Sequence, residues 1–134
     1  MTPAAGNAGP LGAIVLGAVA AICCYLAVTF LKPKLGYDDA LDTFGIHGIG
    51  GIVGALGTGI VYSATLGGPS PDGWSMGAQL WTQLLTVGGT IIWAAIGTTI
   101  AIVLAKLLTG LRVSSDVERE GLDLGEHGER AYNH

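Results

Sequence analysis

Charge is what this sequence has least of. Its 134 residues include six lysines and arginines and ten aspartates and glutamates. No charged side chain precedes Lys32, and none lies between Asp42 and Asp72 or between Asp72 and Lys106. The net charge of -4 argues against nucleic acid, or an anionic lipid surface, as the main partner. Cysteine is also scarce. Cys23 and Cys24 are adjacent in an apolar run, a spacing that suits neither a disulfide framework nor a metal site. They read as two small buried hydrophobes. A phosphate loop and a nucleophile–base pair are missing too, and Glu126-His127 and His134 are too sparse to argue a metal. The sequence therefore gives no ground for an enzyme, a cofactor or a bound metal.

What is present is apolar and small. Half of the residues are hydrophobic and 23 are glycine, where about 7% glycine is usual. Glycine lets membrane helices approach closely, so this composition points to an all-α integral membrane protein. Three spans are expected, at about residues 11–31, 40–63 and 76–106, each long enough for the roughly 20 residues that a bilayer requires. The third begins near Trp74 or Met76 and exceeds that length, so it is expected to tilt or project. Residues 1–110 thus form the membrane region and 111–134 a solvated tail. A cleaved signal peptide is disfavoured because Lys32 and Lys34 follow the first apolar run instead of preceding it.

All six basic residues fall in the first loop or at and beyond the end of the third span. The positive-inside rule then places the first loop and the C-terminus in the cytoplasm and the N-terminus outside. An odd number of spans requires termini on opposite sides. Tyr62, Trp74 and Trp81 cluster near the outer boundary, as interfacial aromatics do. In the tail, Ser115 followed by Glu118 has capping-box spacing and suggests a short helix to about Glu120.

His47 stands out within the second span, because an ionisable group there usually faces a protein interior or an ion or substrate path. A neutral imidazole has one donor and one acceptor, and it can pass a proton or hold a small polar molecule. A purely structural hydrogen bond to a neighbouring helix is the competing reading. Asp42 sits five residues earlier, about 140° round a helix, so the two do not share a face. Capping the helix or bonding another helix are the roles open to Asp42. Gly50 and Gly54 form a small-xxx-small pair, with Gly57 near the same face, and read as packing residues.

The segment Asp38-Asp39-Ala40-Leu41-Asp42-Thr43-Phe44-Gly45-Ile46-His47-Gly48-Ile49-Gly50-Gly51 resembles the D-D-x-x-D-x-F-G-x-H-G-x-x-G element of the ammonium transporter family, which includes methylammonium permeases and Rhesus relatives. Thr2-Pro3-Ala4-Ala5-Gly6 is similar to the T-P-A-x-G element before that family's ninth span. Gly110-Leu111-Arg112-Val113, Glu118-Arg119-Glu120-Gly121-Leu122-Asp123 and His127-Gly128-Glu129-Arg130-Ala131-Tyr132 resemble its cytoplasmic tail. The three segments occur in family order.

The resemblance implies an eleven-span transporter of ammonium or ammonia, trimeric, with one narrow pore per subunit. This chain would supply its last three spans and tail. His47 would be the second member of the family's twin-histidine pair, Thr43 a pore-lining residue and Asp42 the aspartate at the helix entry. Arg112, Glu120, Gly121, Asp123, His127, Gly128, Glu129 and Tyr132 would belong to a regulatory tail that a P-II type signalling protein can meet. The first histidine and the outer vestibule belong to earlier spans, so the chain is expected to be a C-terminal fragment with an incomplete pore. The alternative is a non-conducting membrane module that associates with full-length subunits or with a cytoplasmic regulator.

Overall fold

The computed structural model describes residues 2–130. Three apolar helices are long enough to cross a membrane: α1 (Pro10–Leu35), α2 (Phe44–Val61) and α3 (Met76–Leu108). Two short helices follow, α4 (Ser115–Glu120) and α5 (Leu122–Gly125). Every regular element among the described residues is helical, as the composition led one to expect. The described residues fall into two separate units, divided between Ile91 and Ile92.

α1 opens on Pro10, where the missing N–H would have had no intrahelical partner anyway. It continues past the apolar run to Leu35 and ends at Gly36, which is left-handed at φ 64°. Its last turns are not uniform. Residues Ala27–Leu31 form a wider π turn, in which the Lys32 amide reaches back to the carbonyl of Ala27. The cause lies just downstream. Pro33 has no N–H, and in a regular α-helix its ring would press on the carbonyl of Thr29. A π turn opens the ladder there and lets the helix continue without a break.

α2 begins later than the residue-40 start suggested by the apolar pattern. The Asp39 carboxylate accepts from the amides of Thr43 and Phe44, each at 2.8 Å, and so fixes the first turn there. Asp42 is left-handed at φ 54° and separates the loop from the helix. Such a conformation costs a non-glycine residue about 1–3 kcal/mol and persists only where surroundings impose it. The first turn of α2, Phe44–Gly48, is again a π turn.

α1 and α2 pack antiparallel through small residues. Along the contact a Cβ at Gly12 would meet Val61, one at Gly57 would collide with Leu16, one at Gly50 would lie 3.1 Å from the Cys24 sulfur, and one at Gly45 would lie 2.7 Å from Val28. Gly50, Gly54 and Gly57 are all buried in this seam. Without a strong hydrophobic drive inside lipid, such van der Waals contact is what holds helices together. Thr58, also buried, satisfies its hydroxyl on the Gly54 carbonyl at 2.8 Å. Ahead of α1, a tight turn at Thr2–Ala4 places Ala4 against Leu16 and Val61. Tyr62 and Trp74 meet edge to face with centroids 5.8 Å apart, while Trp81 is exposed.

In the second unit, Gly110 is left-handed at φ 81° beyond the end of α3. The cap of α4 differs from the one read in the sequence. Ser114, not Ser115, accepts from the Val117 amide. Glu118 does not close a capping box, because its carboxylate is held by Arg112 at 2.8 and 3.2 Å.

Candidate functional site

A cluster of charged side chains lies where α1 ends and α2 begins. Lys32 reaches out from the last turn of α1 and donates to two acceptors. These are the Asp39 carbonyl at 2.6 Å and the Asp42 carboxylate at 2.5 Å. Asp39 in turn caps α2 through its side chain, and Asp42 accepts the Ile46 amide through its carbonyl at 2.9 Å. One ammonium group therefore binds both residues that satisfy the otherwise unpaired amides of the helix start. In the same loop, Tyr37 meets the Phe44 ring edge to face at 5.6 Å. Its hydroxyl is shielded from solvent and has no hydrogen-bond partner among the described residues.

His47 lies in the π turn that follows. Its ring is exposed in this chain, and among the described residues no hydrogen bond engages it. Thr43 is also exposed, and its amide is held by Asp39. The structure does not bring Asp42 and His47 together, because the Asp42 carboxylate is taken by Lys32 on the neighbouring helix. Of the two roles open to Asp42, the structure shows the bond to another helix, and capping falls to Asp39. The π turn is itself held from α1. Val28 packs on Gly45, and the Cys24 thiol lies 3.6 Å from the Ile46 carbonyl, a weak S–H donor contact. The sequence reading missed Lys32, Asp39 and Cys24 as members of this region. An acidic residue a few positions before a helical run was the available signal for Asp39.

An apolar groove of about 300 Å³ lies between α1, α2 and the start of α3, lined by residues such as Val19, Cys23, Leu56 and Leu80. It has almost no polar lining and offers no means of orienting a charged ligand. Among the described residues no three histidine, cysteine, aspartate or glutamate side chains converge as a metal site.

The tail residues form a self-contained hook. Gly121 and Gly128 adopt φ 108° and 66°, conformations that favour glycine. The Glu129 amide returns to the Asp123 carbonyl at 2.9 Å, and the His127 amide to Leu122 at 3.3 Å. Glu120 is exposed at the end of α4. Tyr132 lies outside the described residues.

Three apolar helices, glycine-mediated packing and an ionisable residue on an otherwise apolar span define a multi-pass membrane protein. Comparison with known proteins narrows that class. The profile of the Ammonium Transporter Family matches residues 1–132, and the chain belongs to this family. It is 46% identical over 133 residues to an ammonium transporter of Aquifex aeolicus, with 99% of this chain and 31% of the relative covered. Similarity to an ammonium transporter of Bacillus subtilis is 39% over 134 residues, covering 98% and 33%. Ammonium transporter Amt1 of Archaeoglobus fulgidus is 42% identical over 133 residues, covering 98% and 34%. The chain spans about a third of the length of these curated relatives. Its family is one of transporters, not enzymes.

Proposed function

We propose that this chain contributes one wall of an ammonium-conducting pore, with His47 facing the lumen. The observation that carries the reading is the position of His47. It sits exposed on an otherwise apolar helix that packs on α1 through glycines, in a chain matched to the family almost end to end. A titratable ring left on the open side of an apolar helix calls for further protein around it. On this reading α1, α2 and α3 are the ninth, tenth and eleventh spans of the parent architecture. His47 is then the second of its paired histidines, and Thr43 lines the same lumen. Ammonium gives up a proton at the entrance, ammonia crosses the apolar lumen, and the histidines relay the proton. Asp42 anchors the entry of the pore helix. The N-terminus lies outside and the tail inside, where the hook from Arg112 to Glu129 meets neighbouring subunits of a trimer or a P-II type protein.

The unburied third helix favours a second reading. No residue of α3 is fully buried in this chain, so the chain also suits a non-conducting module that docks on intact subunits. Two liposome preparations separate the readings. One holds this chain alone. The other holds a chimera in which residues 1–132 replace the matched third of the Aquifex aeolicus transporter. Ammonium flux from the chimera supports the pore reading. A chimera that assembles as the parent does and carries no flux overturns it.

A further inference from the structure

We infer that Lys32 is a positioning residue for His47, acting through Asp42 and Asp39. The inference rests on the pore reading for its functional meaning, and on geometry for its content. The first turn of a helix decides the direction of every side chain after it. A start displaced by one residue turns each of them by about 100° about the axis. In this chain the start of α2 is set by two acidic residues, and both are held by one lysine from the preceding helix. Asp39 takes the Thr43 and Phe44 amides on its carboxylate while its carbonyl accepts from Lys32 at 2.6 Å. Asp42 takes the Ile46 amide on its carbonyl while its carboxylate accepts from Lys32 at 2.5 Å.

Two further features make Lys32 the controlling member. Asp42 is left-handed at φ 54° without being glycine, so something outside its own backbone has to hold it there. The ion pair is one such contact, and it works beside the Asp42 amide, which donates to the Asp39 carbonyl at 3.1 Å, the same oxygen that accepts from Lys32. Lys32 itself is aimed by the π turn of Ala27–Leu31, which ends at the residue before it. The proline-driven widening of α1 thus fixes the lysine, the lysine fixes the loop, and the loop fixes the phase of the helix bearing His47. Sequence convention gives Lys32 only an orienting role during membrane insertion. The structure assigns it a second one.

The test uses the 134-residue chain in lipid bilayers. Amide exchange at Thr43 and Phe44 and the nitrogen-15 signals of the His47 ring are recorded for the unsubstituted chain, Lys32→Met, Lys32→Arg, Asp42→Asn and the double variant Lys32→Met/Asp42→Asn. Asparagine tolerates the left-handed region, so Asp42→Asn removes the charge without new strain. In Lys32→Met, exchange at the two amides is expected to quicken about tenfold, with a shift of the His47 ring signals. Lys32→Arg restores both, Asp42→Asn reproduces the loss, and the double variant adds nothing further. If Lys32→Met does not insert, Asp42→Asn and Lys32→Arg decide the matter by the same readouts. Unchanged amides and ring signals in either charge-removing variant, or independent addition in the double variant, overturn the proposal. Transport is not measured, so failure here leaves the pore reading standing, and failure of flux leaves this result standing.

Discussion

The Asp39 carboxylate closes the helix at Phe44, accepting that residue's amide at 2.8 Å while its other oxygen takes the Thr43 amide. This relationship fixes where α2 begins, and it involves a residue four and five positions before the two amides it holds. Asp39→Ala is expected to remove both bonds and destabilise the helix start by about 1 kcal/mol. Asp39→Asn keeps one of the two acceptor oxygens and recovers about half of that loss. Reversible unfolding in detergent, followed by circular dichroism, reads the difference. Equal stability of Asp39→Ala and the unsubstituted chain would rule out the capping role.

The glycine seam makes a contrasting pair of predictions. A Cβ at Gly57 has no room beside Leu16, whereas one at Gly51 meets nothing. Gly57→Ala is therefore expected to destabilise the α1–α2 pair by about 1–3 kcal/mol through overpacking. Gly51→Ala is expected to be neutral, or to stabilise the helix by up to about 1 kcal/mol. The two can be compared in the same unfolding experiment. A Gly57→Ala chain as stable as Gly51→Ala would show that the seam is looser than described.

Pro33 accounts for the π turn of Ala27–Leu31, so its replacement is informative. In Pro33→Ala the missing N–H returns and the ring no longer crowds the Thr29 carbonyl. The turn is then expected to tighten to α geometry and swing Lys32 by about 100° away from Asp42. Backbone chemical shifts of Ala27–Leu31 report the first change, and faster amide exchange at Thr43 reports the second. Persistence of the π turn in Pro33→Ala would place its cause elsewhere.

The parts of this molecule legible from sequence are those that depend on composition and period. α1, α2 and α3 follow from long uncharged apolar runs, and the packing of Gly50 and Gly54 follows from small-xxx-small spacing. His47 was visible because a titratable residue is rare in such a run. The polar cluster was not. Lys32 and Asp42 are ten residues apart on different elements, and nothing in hydropathy says that a loop will fold them together. Asp39 and Asp42 are equally plausible caps on paper, and only the left-handed backbone of Asp42 decides between them. Ser114 and Ser115 pose the same problem in the tail, resolved by one residue once Arg112 takes the Glu118 carboxylate. The π turns escaped because amphipathic period carries no record of ladder width, although Pro33 was a hint.

Ammonium flux tests most directly whether His47 faces a conduction path. Liposomes holding the chimera with the Aquifex aeolicus transporter are compared with liposomes holding the same chimera carrying His47→Ala. If His47 lines the path, His47→Ala is expected to abolish flux or to leave flux that no longer discriminates ammonium from alkali cations. Ammonium-selective flux at the unsubstituted rate from His47→Ala would contradict it.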